Sequence, residues 1–82
     1  MKIFTLTEKV MNGTVTMDVI TTIYQAENFG AVVDKLKNNL NKLKENVSIE
    51  EDNDQMFSYT IGSQTFPVWG YITNEEETII KV

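Results

Sequence analysis

The residues of this 82-residue chain that could do chemistry are carboxylates and aromatics. Histidine and cysteine are absent, and all seven cations are lysines. Without histidine there is no side chain whose ordinary pKa suits proton transfer near neutrality. Without cysteine, thiolate nucleophiles, thiolate metal sites and disulfides are excluded. Asp52-Asn53-Asp54 matches the opening of a calcium loop, yet the glycine and the twelfth-position glutamate that such a loop needs are missing. No phosphate-cradling glycine loop occurs, and no nucleophile lies at a telling distance from a base. Carboxylates alone catalyse only as a matched pair in a cleft. A non-enzymatic protein with no metal and no cofactor is therefore expected, with a carboxylate-only enzyme as a remote third reading.

The aromatics are more informative. In Phe66-Pro67-Val68-Trp69-Gly70-Tyr71-Ile72, a strand would send Phe66, Val68, Gly70 and Ile72 to one face and Pro67, Trp69 and Tyr71 to the other. Both sets are apolar, whereas a chain of this length usually covers only one side of a sheet. It forms one domain, 1–82, which buries about 60–65% of its unfolded surface.

The elements that must position these rings follow from periodicity. Asn12-Gly13 between two alternating runs predicts a tight turn with both residues at positive φ. Phe4 and Leu6 would then share a face with Val10, Val15, Met17, Val19 and Ile23, leaving mainly threonines opposite. From Ala26 to Glu45 the period changes: Phe29, Val33, Leu36, Leu40, Leu43 and Val47 recur at helical spacing. Asn46 is the expected left-handed terminator. Residues 47–51, 56–61, 65–73 and 78–82 read as further strands, with a turn at Gly62-Ser63 that sets Tyr59 opposite Phe66. The last strand should place Val82 opposite Trp69 and leave Pro67 at a free edge. The fold class is α+β: an antiparallel sheet of five to six strands with one helix on one face, in the chain order β-β-α-β-β-β-β.

In this arrangement Phe57, Tyr59, Ile61, Phe66, Val68, Ile72 and Ile79 lie beneath the helix, and Met56, Trp69, Tyr71, Ile80 and Val82 form the spare face. Either the sheet curls so that the hairpin shields that face, or another molecule covers it; Trp and Tyr are common interface anchors. Charge is segregated as well. Residues 1–44 carry six lysines against four acids, whereas residues 45–80 carry eight acids and no lysine. Glu50, Glu51, Asp52 and Asp54 and then Glu75, Glu76 and Glu77 are expected in turns at one end of the sheet. They would make an acidic docking surface for a basic partner.

Taken together, MKIFTLTEKVMNGTVTMDV, the helix and the acidic turns give the chain a resemblance to small acidic α+β proteins of bacterial genomes and their phages. Immunity proteins and inhibitors of host defences are among them. The resemblance implies binding to a target without catalysis, and it transfers no residue roles. The leading expectation is a non-catalytic protein-binding protein. The alternatives are a self-associating protein, a homodimer or larger, that sequesters a nucleotide-like small ligand, and an inhibitor that mimics DNA. The start of the sequence reads as neither signal peptide nor membrane span, so a cytoplasmic protein is expected, without membrane contact. With a net charge of −5 and no arginine, direct nucleic-acid binding is not expected.

Overall fold

Alternation at the start of the chain forms two long strands, β1 (Lys2–Asn12) and β2 (Val15–Ala26). They are followed by the helix α1 (Phe29–Asn41) and three shorter strands, β3 (Asn46–Asp52), β4 (Met56–Gly62) and β5 (Val68–Thr73). The structure, a computed structural model, describes residues 2–43, 46–62 and 66–75. The strands form one antiparallel sheet in the order β2-β1-β5-β4-β3, with α1 packed on one face. The α+β class is as expected, with five strands among the described residues. The expected strand over 78–82 lies outside them.

The first hairpin differs from expectation in both turn and register. Asn12 is opposite Val15, so the turn residues are Gly13 and Thr14. Gly13 alone has positive φ, +61°, the pattern of a turn whose first central residue must be left-handed. A bulge next to Val10 and Met11 then inserts Met17 as an extra residue on β2. Phe4 consequently faces Tyr24, not Thr21. An odd shift moves every side chain of a strand to the other face. Tyr24 and Ala26 pack on the core, while Val19 and Ile23, expected beside Phe4 and Leu6, point away from it. Val15 and Met17 are exposed too.

The helix starts where its cap allows. Asn28 is extended, and its Oδ1 accepts from the Ala31 amide at 2.9 Å, which satisfies one of the free donors of the first turn. Phe29, Val32, Val33, Leu36 and Leu40 form the buried stripe. α1 ends earlier than its periodicity suggests, with Lys42 as C-cap. Leu43 is exposed. Asn46 begins β3 and terminates no helix. At about 1.5 Å per residue, the helix is roughly 20 Å long and covers one side of the sheet.

The second half is also re-registered, by an even number of residues. Tyr59 is opposite Gly70, not Phe66, and Ile61 is opposite Val68. The connection from β4 to β5 is thus longer than a two-residue turn. Phe66 leaves the strand and is 39% exposed. Because the shift is even, Phe57, Tyr59, Ile61 and Ile72 keep the helix side expected for them and are buried. β5 is interior to the sheet, with Trp69 opposite Thr60 on one side and Lys9 on the other. The position opposite Trp69 that the sequence suggests for Val82 is thus taken by Lys9 and Thr60. Pro67 precedes β5, and its carbonyl accepts from the Met11 amide at 2.9 Å. A residue without an N–H can still close a ladder as an acceptor.

At the middle of the helix-covered face, Tyr59, Gly70 and Glu8 are successive cross-strand neighbours. The Tyr59 ring lies across Gly70, so close that a Cβ there would stand 2.4 Å from Cζ. Only glycine leaves that space. The ring thereby reaches the third strand, where its hydroxyl donates to Glu8 Oε2 at 2.9 Å.

Candidate interaction surface

The opposite face of the sheet has no helix. Alternation on β5 brings Trp69 and Tyr71 to it, with ring centroids 4.8 Å apart and planes inclined by 32°. Both are half-buried. The next strand contributes Lys9, directly opposite Trp69, whose Nζ lies 5.4 Å from the Trp69 centroid and 5.9 Å from that of Tyr71. Such a cation over two ring faces is attracted by their quadrupoles and fixes the orientation of the pair. On the other side β4 supplies Met56, Ser58 and Thr60. Ser58 is buried, its short side chain sitting low beside Tyr71. Thr5, Thr7, Val19, Thr21 and Ile23 continue the face across β1 and β2.

Acidic residues border this surface at β3, and they are divided in a way the sequence does not show. Glu50 and Glu51 belong to β3, within the strand expected over 47–51, and Asp52 ends that strand where the sequence suggests a turn; the register shifts between Ile49 and Glu51. Glu50 extends over the outer face, where its carboxylate accepts from the Thr60 hydroxyl. Glu51 is opposite Ser58 on the same face. Asp52 is opposite Phe57 on the helix side and forms an ion pair with Lys37 at 2.8 Å, so it does not belong to the outer surface. Asp54 is in the β3–β4 turn, which Asn53 closes by accepting from the Gln55 and Met56 amides through its side chain. Asn74 donates its amide to the Gln55 carbonyl and its side chain to that of Asp54. The end of β5 and Glu75 thus adjoin that turn, as the charge layout suggests. Glu76, Glu77, Ile80 and Val82 lie outside the described residues.

Among the described residues, the titratable group with the largest perturbation is on the helix side. Burial, then the hydrogen bond to Glu8 and its charge, push the Tyr59 phenol well above its ordinary value. Burial and the Glu8 charge raise Tyr24 in the same direction. A groove of ≈ 190 Å³ opens beside these groups, lined also by Leu36, Asn39 and Leu40. A second, of ≈ 440 Å³, runs between the start of α1 and the β3–β4 turn, and the Lys37–Asp52 pair lies in it. Among the described residues no cluster of three or more acidic, histidine or cysteine side chains could hold a metal ion.

Of the spare-face residues expected from sequence, Met56, Trp69 and Tyr71 come together. Lys9 shares that face with Thr5 and Thr7 by alternation, but its place beside Trp69 follows only from the β1–β5 pairing. The Tyr59–Gly70–Glu8 row could not be anticipated, because it depends on β5 entering between β4 and β1. No described helix is long and apolar enough to cross a membrane. No family model, no curated protein and no solved structure matches the chain.

Proposed function

We propose that this is a non-catalytic binding protein that engages a basic protein partner through the helix-free face of its sheet, as an inhibitor or immunity-type protein does. The observation that carries this reading is the Trp69–Tyr71 pair, oriented by Lys9 on a face that no described helix or strand covers. Glu50 and Glu51 border the same face, so an aromatic anchor and an acidic rim belong to one surface. Aromatic centres supply most contact energy in protein interfaces, and rim charges speed encounter and reject wrong partners. Tyr59 and Glu8, the other polar pair of note, are occupied with each other beneath the helix, which favours a structural role for them over a catalytic one.

The test is affinity capture from the native host with wild type and with a Trp69→Ala, Tyr71→Ala double variant, followed by titration of the captured protein. The reading expects a basic protein that the double variant binds at least about tenfold more weakly. Its association rate should fall as salt rises. Equal binding by both proteins overturns the reading. Competition with DNA for the same partner would show that the acidic rim imitates a phosphate backbone.

A further inference from the structure

The two edges of the sheet are built differently. β3 carries Glu50, Glu51 and Asp52, and its ladder is interrupted after Ile49; charge and irregularity are the usual means of keeping a sheet edge from adding strands. β2 has twelve residues and one charge, Asp18. Among the described residues no strand pairs with its outer side. It exposes apolar side chains on both faces: Val19 and Ile23, 51% and 61% exposed, on the outer face, and Ile20, 46% exposed, on the helix side.

The ladder fixes which backbone groups point outward. The Met11 amide reaches the Pro67 carbonyl, so odd-numbered residues of β1 direct their amides to β5 and even-numbered ones direct theirs to β2. Glu8, Leu6 and Phe4 are opposite Ile20, Thr22 and Tyr24. These three therefore bond inward, and Val19, Thr21, Ile23 and Gln25 present their amides and carbonyls to the outside. Consistent with this, the Val19 amide bonds to the side chain of Asp18 at 2.9 Å and not to β1.

We propose that β2 pairs antiparallel with β2 of a second copy about a twofold axis at Thr21, joining two sheets into one of ten strands. The sequence around Thr21 is complementary to itself in this register. Thr21 meets its own copy, and Val19 meets Ile23 on both sides of the axis, all on the outer face; β-branched pairs of this kind stabilise neighbouring strands. On the helix side, Asp18 comes opposite Tyr24 of the second copy, over whose ring Lys35 of α1 is placed, 5.8 Å from the centroid. The only charge on the strand thus meets an opposite charge, twice by symmetry, and is kept from its own counterpart. The Val19 amide exchanges Asp18 for the carbonyl of Ile23, which frees the carboxylate for Lys35. A foreign strand would have to reproduce this arrangement, whereas a second copy already has it. The outer faces of both copies would then form one continuous surface, with two Trp69–Tyr71 pairs.

The chain has no cysteine, so single cysteine variants report pairing without background. In a hydrogen-bonded antiparallel pair the Cα atoms are about 5.5 Å apart, within disulfide reach. Thr21→Cys should form a cross-linked dimer under mild oxidation. Ile23→Cys, about four residues from its copy in this register, and Ser48→Cys on β3 should not. In sedimentation, Asp18→Lys or Lys35→Glu alone should weaken the dimer on the order of tenfold, and the two together should restore it. A wild-type monomer at concentrations on the order of 1 mM overturns the proposal. So does a dimer that cross-links through Ser48→Cys, or charge variants that do not rescue one another. The Trp69→Ala, Tyr71→Ala variant should dimerise normally, so loss of partner binding and loss of pairing are read separately.

Discussion

Within β5, adjacent residues answer to different demands. Val68, Gly70 and Ile72 face the helix; Trp69 and Tyr71 face away from it. The inner side is closed: Ile72 is fully buried, and Gly70 is covered by a ring pinned between two other strands. The outer side holds the larger residues in looser contact, where they rest on each other and on one lysine. Size alone would assign the stabilising role to Trp69 and Tyr71, but the packing assigns it to Gly70 and Tyr59. Stability and the proposed recognition lie on opposite sides of one sheet, and each should be removable without the other.

The sharpest way to break this contrast is Gly70→Ala. A methyl group 2.4 Å from Tyr59 Cζ, 2.6 Å from its hydroxyl oxygen and 2.8 Å from Cε1 must displace a ring that is only 2% exposed. Urea unfolding should show a loss of about 2–3 kcal/mol from overpacking and the lost Glu8 bond. A loss below about 0.5 kcal/mol would mean that the ring moves aside freely.

Tyr59→Phe comes next. It keeps the ring and removes the donor to Glu8, at a cost of about 1–2 kcal/mol. It also changes the alkaline limb of the stability curve. The folded protein holds the Tyr59 proton more tightly than the unfolded chain does. The stability from this group is therefore fully present below the unfolded phenol pKa, about 10, and is lost as pH rises toward the higher folded value. Wild type should lose stability above about pH 10 more steeply than the variant, as followed by denaturation midpoints. Parallel curves would place the titration elsewhere.

The smallest stability effect should come from the largest residues. The Trp69→Ala, Tyr71→Ala protein should unfold within about 1 kcal/mol of wild type in total, because neither ring is in the closed core. A cooperative unfolding curve with a nearly unchanged midpoint, together with lost partner binding, would sharpen the comparison; a collapsed midpoint would erase it.

The two hairpins show what could be read from the sequence. In both, the pairing differs from the one that the turn residues suggest. After Gly62 the shift is even, so Phe57, Tyr59, Trp69 and Tyr71 fall on the faces that alternation assigns. After Asn12 the shift is odd, through a different turn and an extra Met17, and Val19 and Ile23 change sides. Strand pattern fixes which residues belong together within a strand, and only pairing fixes which strands' faces coincide. On β2 the odd-numbered face is the more apolar, so its pattern favours that face for the core; the turn and the bulge instead bring Thr22, Tyr24 and Ala26 to the helix side. The neighbour relation of β1 and β5 was unreadable, since no local signal reports it. Lys9 could have been placed beside aromatics only once that pairing was known.

The β1–β5 ladder has a consequence for how the molecule comes into being. Two hairpins, β1–β2 and β3–β4, can form early from residues near in sequence, but no strand joins them until β5 inserts between them. The Tyr59–Glu8 contact spans 51 residues, and such distant closures are slow compared with local ones. A nascent chain would therefore carry two separate half-sheets until its final described strand emerged. Since that strand bears the sole tryptophan beside Lys9, its fluorescence should report the last step of folding, at which the halves are joined and the Trp69–Tyr71 face is completed.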